Sequence, residues 1–198
     1  MATQKLAEAV PAPRPDSLAA VSHRDDAVVL GPVLPNDHSS LFIWMNDMQA
    51  ARLDFTWRPL DYVAFRAWMD RMSQDQGQVL FAIRKLDAAE IAGFVILKNI
   101  QAVHRSADLG VRIGLESDRG KGLGTRAVRL ALNYAWNTLN LNRVALTVLA
   151  DNSRAIASYK QCGFIEEGRL RQASFMDGRW TDVLIMAALR PDNVRPLH

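Results

Sequence analysis

Hydrophobic positions along the chain change their spacing several times, and this predicts a protein built from both strands and helices. Near its end, strand-like residues flank the pair Asp177 and Gly178, which is typical of a two-residue hairpin turn. The final strand is expected to run over residues 180–189. Short runs rich in β-branched and aromatic residues predict further strands over residues 27–34, 79–83, 91–97, 107–114 and 144–149.

Apolar residues repeat every three or four positions in four other segments, and this spacing predicts amphipathic helices. The first helix is expected to follow Asn36 or Asp37, either of which is a suitable N-terminal cap. The others are expected over residues 61–71, 123–139 and 152–161. Because residues 123–139 carry an unusually wide apolar face, we expect that helix to pack against a sheet.

The order of these elements predicts an α/β fold in one domain. It is strand, two helices, several strands, helix, strand, helix and hairpin, so helices are expected to pack on a mixed sheet. Residues 1–26, with prolines among many alanines, are expected to form a flexible N-terminal arm. Residues 27–190 are expected to form the domain and residues 191–198 a C-terminal tail.

Composition narrows the class of protein. Of 198 residues, 49% are hydrophobic and 23% charged, which excludes a disordered or fibrous chain. A single cysteine, Cys162, cannot form an internal disulfide, so we expect a cytoplasmic protein. The net charge of +3 favours an anionic ligand without predicting a nucleic-acid partner. No run approaches the ~20 apolar residues of a membrane span and no signal peptide is evident, so no membrane partner is expected.

The most specific chemical signal is a glycine-rich segment at residues 118–125, between a predicted strand and the longest predicted helix. It reads Asp-Arg-Gly-Lys-Gly-Leu-Gly-Thr. Three glycines let a ligand approach the backbone closely, and a helix start offers unpaired N–H groups and positive charge to phosphate. Lys121 is followed by glycine rather than Ser or Thr, which excludes a P-loop, and the glycine spacing differs from the Rossmann fingerprint.

Two motifs together resemble the GNAT N-acetyltransferases. Residues 119–124 match the (Q/R)-x-x-G-x-(G/A) pyrophosphate loop of that family, and residues 152–164 are similar to its N-x-x-(A/S)-…-Y-x-x-x-G-F segment. Residues 103–108 and 175–180 are similar to the branch that holds spermidine N-acetyltransferases and ribosomal-protein alanine acetyltransferases. The resemblance implies the GNAT fold, a mixed and mostly antiparallel sheet of about six to seven strands flanked by about four helices.

The resemblance also implies acetyl-CoA as the acetyl donor, an amine as the acceptor and a set of site residues. Tyr159 is the expected general acid, and packing in the core is the alternative role. Asp108 is a candidate for the general base or for holding an ammonium group, and an ordered water could serve as the base instead. Asn152 could bond CoA or cap a helix. The expected CoA-binding residues are Val111, Arg112, Ile113, Arg119, Gly120, Lys121, Gly122, Leu123, Gly124, Thr125 and Asn152.

The acceptor is harder to predict. Phe55 and Trp57 lie in a predicted loop, where exposed aromatic side chains often contact ligands. Arg58 interrupts the nearby acidic residues, which favours a primary amine less charged than a polyamine. A polyamine, a protein N-terminus beginning with alanine or serine, and a CoA-binding regulatory module remain alternatives. The four scattered histidines predict no metal site, and homo-oligomerisation stays open.

Overall fold

The computed structural model describes residues 23–47, 58–86, 88, 90–176 and 178–191. Within these residues, eight strands form one sheet in the order β1-β2-β3-β4-β5-β6-β8-β7. All neighbouring strands are antiparallel except β5 and β6, which are parallel. The strands are β1 (His23–Arg24), β2 (Val28–Gly31), β3 (Val79–Lys85), β4 (Ile91–Gln101), β5 (Ser106–Ile113), β6 (Arg143–Leu149), β7 (Ile165–Met176) and β8 (Arg179–Leu189).

Four α-helices accompany the sheet in the described part of the chain, as the fold class predicts. They are α1 (His38–Asn46), α2 (Tyr62–Gln74), α3 (Leu123–Asn137) and α4 (Ser153–Gln161). The mixed, mostly antiparallel architecture is confirmed, but the sheet has one strand more than the upper expectation of seven. The additional short strand β1 lies inside residues 1–26, the segment expected to be an arm, so pairing with β2 begins at His23. The division into arm, domain and tail stays a prediction.

The two faces of the sheet carry different hydrophobic clusters. The larger cluster joins β2–β6 and β8 to α3, whose side chains Ala127, Val128, Ala131 and Ala135 are fully buried. The smaller cluster, on the opposite face, packs α1 and α2 onto β3 and β4 through Leu41, Trp44 and Phe65. We call these the α3 face and the α1 face. Residues alternate between them along β5, so Leu109 packs on the α3 face and Arg112 lies on the other.

A buried ion pair fixes the start of α1 to the sheet. Asn36 or Asp37 was expected to cap α1. Asp37 holds the N-cap position, but its carboxylate accepts a hydrogen bond from the Leu34 N–H at 2.7 Å and pairs with the guanidinium of Arg84 rather than bonding the first turn of α1. Both side chains are almost completely buried. Because a buried charge requires a partner, this contact replaces the capping role that the sequence suggests.

The most consequential feature of the sheet is that β5 and β6 separate. Their parallel pairing covers three positions and ends with Asp108 opposite Ala145. β5 continues five residues beyond this point to Ile113, paired on its other edge with β4, and β6 continues to Leu149, paired with β8. Over that length, roughly 17 Å of strand, the facing backbone edges of β5 and β6 are not joined to each other.

Candidate active site

The glycine-rich segment lies where β5 ends and α3 begins, next to the separated strand edges. Gly120 and Gly122 have φ of 80° and 82°, a left-handed conformation that disfavours residues with side chains. A Cβ at either position would meet nothing within 4 Å, so backbone conformation rather than crowding requires glycine there. We call residues 120–125 the glycine cradle.

The start of α3 supplies backbone donors to the cradle. The first helical hydrogen bond runs from the Arg126 N–H to the Gly122 carbonyl, at 3.0 Å. The amides of residues 122–125 precede it and therefore have no partner within the helix. Gly122 caps α3 without a side chain, so these N–H groups are not covered by a capping side chain and can bind an anion.

Arg119 secures the cradle to the end of β5. Its Nη2 donates to the Gly114 carbonyl at 2.9 Å, and its Nε donates to the Ile113 carbonyl at 3.3 Å. Arg119, one of the expected CoA-binding residues, thus closes the loop that connects β5 to α3. Gly114 itself must be glycine, because a Cβ there would lie 2.0 Å from a ring carbon of Trp44.

A carboxylate and two lysines lie at the base of the cradle. Asp118, in the short 3₁₀ turn Glu116–Asp118, is 5% exposed. Lys85, the last residue of β3, places its Nζ 3.1 and 3.4 Å from the two carboxylate oxygens. The Nζ of Lys121 lies 3.9 Å from Oδ1 of the same carboxylate. Lys85 was not predicted as a site residue, since 33 residues separate it from Asp118 and only the folded sheet brings them together.

The first turn of α3 is tied to α4. The hydroxyls of Thr125 and Ser158 are 2.7 Å apart, and the thiol of Cys162 donates to the Thr125 carbonyl at 3.4 Å. Burial raises the pKa of the Cys162 thiol, despite the opposing effect of Arg129 nearby. The thiol is therefore a packing group, and α4 is held against the cradle.

Tyr159 and Asn152 both lie on α4 and each has a local structural role. The Tyr159 ring is half-buried on the α3 face and packs against Phe164, with ring centroids 5.7 Å apart. Asn152 caps α4, because its Oδ1 accepts a hydrogen bond from the Ala155 N–H at 3.2 Å. Gly163 ends the helix in the left-handed conformation, with φ of 88°.

Asp108 lies where β5 and β6 part, on the α1 face. Its Oδ2 accepts a hydrogen bond from Asn99 Nδ2 at 2.7 Å. Asn99 sits in a bulge of β4 with φ of 53°, a left-handed conformation that asparagine adopts more readily than most residues with side chains, and it was not predicted from the sequence. Arg143 of β6 is close enough for its pKa to be raised, mainly by hydrogen bonding to Glu167 and to a smaller extent by the charge of Asp108.

The three predicted strand residues of β5 divide between the two faces. Val111 and Ile113 pack against the larger core on the α3 face. Arg112 lies on the α1 face, where it donates to the Trp44 carbonyl at 2.8 Å and stands 6.0 Å from the centre of the Phe94 ring. Their backbone edge faces the gap between β5 and β6.

The structure thus brings the cradle, the open edge of β5 and α4 together at one end of the gap, with Asp108 where the two strands part. The two predicted acceptor-side aromatics, Phe55 and Trp57, lie outside the described residues.

No group of three or more potential metal-ligating side chains occurs among the residues that the structure describes. In that same part of the chain, no helix has the length and apolar character needed to cross a membrane.

Comparison with known proteins agrees with this arrangement. The model of the acetyltransferase (GNAT) domain matches residues 28–165. The chain is 38% identical over 100 residues to a spermidine N(1)-acetyltransferase of Vibrio cholerae, covering 50% of this chain and 57% of that protein. It is 28% identical over 113 residues to the [ribosomal protein uS5]-alanine N-acetyltransferase of Escherichia coli, covering 57% and 58% respectively. The chain therefore spans little more than half the length of these curated relatives.

Solved structures extend the likeness over more of the chain. A crystal structure of the spermidine N-acetyltransferase from V. cholerae with CoA and spermine superposes with a TM-score of 0.77 at 27% identity, covering 83% of this chain and 96% of that one. A dodecameric structure of the V. cholerae enzyme gives a TM-score of 0.70 at 26% identity, covering 83% and 95%. The match to the family model shows that the chain belongs to the GNAT acetyltransferase domain family, and the cradle and the parted strands agree with this.

Proposed function

We propose that the protein transfers an acetyl group from acetyl-CoA to the primary amine of a small molecule. The observation that carries this proposal is the gap between β5 and β6, which has the unpaired amides of the α3 start at its mouth. A gap with open strand edges accepts an extended amide-containing chain, and the helix start accepts phosphate. Acetyl-CoA combines both features in one molecule.

The cradle fits the phosphate portion of acetyl-CoA. The amides of residues 122–125 are the donors, and the left-handed glycines leave open space above the backbone. Lys121, whose side chain is 64% exposed, supplies positive charge beside them. The open edge of residues 111–113 would pair with the pantetheine amides as an added strand does.

When bound, acetyl-CoA supplies a thioester whose carbonyl carbon can be attacked by an amine. A backbone N–H of residues 111–113 is the proposed donor to the thioester oxygen, a contribution of about 3 kcal/mol in comparable acyl transfers. Tyr159 is the proposed donor of a proton to the departing sulfur, since α4 is anchored beside the cradle through Ser158. Its packing against Phe164 is compatible with this role, because the hydroxyl and the ring serve separate functions.

The acceptor amine is proposed to enter from the α1 face, opposite α4. Asp108 lies on that face at the end of the gap, with one carboxylate oxygen held by Asn99. It would hold the ammonium group or accept its proton, directly or through water. Phe55 and Trp57 remain proposed contacts for the rest of the acceptor.

The charges described on the α1 face favour an acceptor with a single amine. Arg112 lies on this face, and Arg143 is close to Asp108. The carboxylate of Asp61 is occupied as the cap of α2, where it accepts from the Ala64 N–H at 2.8 Å. A long polycation needs several free carboxylates, so these contacts support an amino sugar or an amino acid derivative.

A polyamine acceptor is the second candidate, because relatives at 38% identity are spermidine N-acetyltransferases. Acetylation of a protein N-terminus is a further alternative, supported by the similarity to the [ribosomal protein uS5]-alanine N-acetyltransferase. We also infer a homo-oligomer, supported by the dodecameric relative, and light scattering on the purified chain tests it. Neither a nucleic acid nor a membrane partner is part of the proposal.

Thiol release from acetyl-CoA, measured over a panel of amines, tests the proposal. The panel should hold amino sugars, amino acid amides, spermidine, spermine and peptides beginning with alanine or serine. The proposal predicts the highest kcat/KM for a small single amine. The highest value for spermidine or spermine would establish the polyamine alternative, and a preference for peptides would establish the protein alternative. CoA binding without thiol release for any amine would indicate a regulatory module.

A further inference from the structure

A buried negative charge lies beneath the cradle, at a place where the proposed ligand is also negative. Asp118 follows Leu115 in a tight turn, in which its N–H donates to the Leu115 carbonyl at 3.1 Å. Its side chain is 7% exposed. A carboxylate in such surroundings is screened poorly by water and would repel phosphates bound to the neighbouring backbone unless a cation compensates it.

Two lysines lie at different distances from this carboxylate. Lys85 contacts both oxygens, at 3.1 and 3.4 Å, and its side chain is 41% exposed. Lys121 lies at 3.9 Å from one oxygen, near the limit of an ion pair, and its side chain is 64% exposed. Lys121 is also flanked by the two left-handed glycines, whereas Lys85 is the last residue of β3 and contacts Asp118 rather than the cradle itself.

The difference in distance suggests that the two lysines have different roles. One cation at hydrogen-bonding distance is enough to compensate one carboxylate, and Lys85 has that position. Lys121 then keeps a weak contact that it can exchange for a stronger one with an incoming phosphate. Without Lys85, Asp118 would draw Lys121 towards itself, and the cradle would lose the charge that faces the ligand.

We propose that Lys85 is a positioning residue for CoA binding, which compensates Asp118 and thereby leaves Lys121 available to the phosphates. This inference rests on the proposed function and concerns how the cradle is prepared for its ligand. Lys85 acts through Asp118 and Lys121 rather than by touching CoA. This distinguishes it from a lysine that binds phosphate directly and from one that only stabilises the loop.

Calorimetric titration of CoA into four single variants tests the proposal. Lys85→Met is expected to raise the CoA Kd about five- to tenfold, which corresponds to about 1–1.4 kcal/mol. Lys85→Arg keeps the positive charge and is expected to remain within about twofold of the unsubstituted protein. Lys121→Met is expected to raise the Kd at least as much as Lys85→Met. Lys98→Met removes a charge from an exposed position of β4 opposite Asp108, away from the cradle, and is expected to change nothing.

Two double variants distinguish the mechanisms. With Asp118→Asn, the Lys85→Met change should have less than a twofold effect, because no carboxylate remains to be compensated. In the Lys121→Met background, the effect of Lys85→Met should be smaller than in the protein that keeps Lys121, because the loss of the Lys121 charge no longer contributes and only repulsion by the uncompensated Asp118 remains. The second pair keeps the test independent of whether Asp118→Asn folds, and circular dichroism with thermal unfolding confirms the fold of each variant.

The outcomes separate this inference from the proposed function. A full five- to tenfold effect of Lys85→Met in both double variants would show direct phosphate binding and overturn it. An unchanged Kd for Lys85→Met in a protein that binds CoA would also overturn it and leave the proposed function intact. Absence of CoA binding by the unsubstituted protein would overturn both.

Discussion

Tyr159 serves packing through its ring, and the proposed chemistry requires only its hydroxyl. Tyr159→Phe should therefore leave the contact with Phe164 and the CoA Kd nearly unchanged. The turnover number should fall about 10²–10⁴-fold, because the departing thiolate loses its proton donor. Single-turnover kinetics and CoA calorimetry on the same preparation check both statements. A turnover number within about twofold of the unsubstituted protein would leave Tyr159 a packing residue.

The lowered pKa of Glu167 predicts how the stability of the fold depends on pH. Hydrogen bonds from Arg143 hold the pKa of Glu167 below its ordinary value of 4.5, and burial opposes this shift. A carboxylate with a lowered pKa stabilises the fold fully above its unfolded-state pKa, and this contribution disappears as the pH falls through the folded-state pKa. Glu167→Gln should therefore be slightly less stable at pH 7, and its difference from the unsubstituted protein should shrink below about pH 4.5.

Urea unfolding between pH 7 and pH 3.5 measures this difference. The effect is small, because Arg143 and Glu167 are 35% and 40% exposed. Glu166→Gln, at the neighbouring position, is the control for loss of a negative charge. Equal pH dependence of the unfolding midpoint in both variants and in the unsubstituted protein would refute the prediction.

Sequence reasoning at the residue scale succeeded where a role depends on neighbours in the chain. Asn152 precedes α4 and caps it, one of the two roles the sequence allowed. Asn99 and Lys85 could not be predicted, because the first depends on a bulge in β4 and the second on pairing across the sheet. Asp37 shows the reverse case. The local sequence indicated a helix cap, but the carboxylate of Asp37 forms an ion pair with the buried Arg84 instead.

At the scale of elements, α1 packs closely against the end of β5. Gly114 lies against the Trp44 ring, which is 6% exposed, and Arg112 donates to the Trp44 carbonyl. Gly114→Ala would place a Cβ 2.0 Å from a ring carbon, so the helix or the strand must move. We expect a loss of about 1–3 kcal/mol in the free energy of unfolding.

Chemical denaturation of a double-mutant cycle identifies the cause of that loss. If the clash with the indole is responsible, Gly114→Ala should cost much less when Trp44 is replaced by leucine. Gly168→Ala is the matched control, because its Cβ would be 3.9 Å from the nearest atom, an ordinary contact. An equal cost of Gly114→Ala with and without the Trp44 ring would contradict this account of the packing.

At the scale of the molecule, hydrophobic spacing was sufficient to predict the α/β class and the element order apart from β1. Helix ends differed by a few residues: α2 continues to Gln74 and α3 ends at Asn137. The strand order and the gap after Asp108 could be expected only through the family resemblance, because hydrophobic periodicity carries no information on which strands pair. The acceptor residues predicted from the sequence, Phe55 and Trp57, lie outside the described residues and stay predictions.

The central claim is that the cradle binds CoA, and calorimetric titration of CoA into matched glycine variants tests it most directly. Gly122→Val obstructs the approach to the α3 start and strains a backbone with φ of 82°. Gly178→Val imposes a similar strain at φ of 77° in the β7–β8 hairpin, and a Cβ at either glycine meets nothing within 4 Å.

Both variants should lose about 1–2 kcal/mol of stability and stay folded, which thermal unfolding would confirm. The account predicts that Gly178→Val binds CoA as tightly as the unsubstituted protein, whereas Gly122→Val shows no measurable binding. Equal CoA affinity in the folded Gly122→Val and Gly178→Val proteins would contradict it.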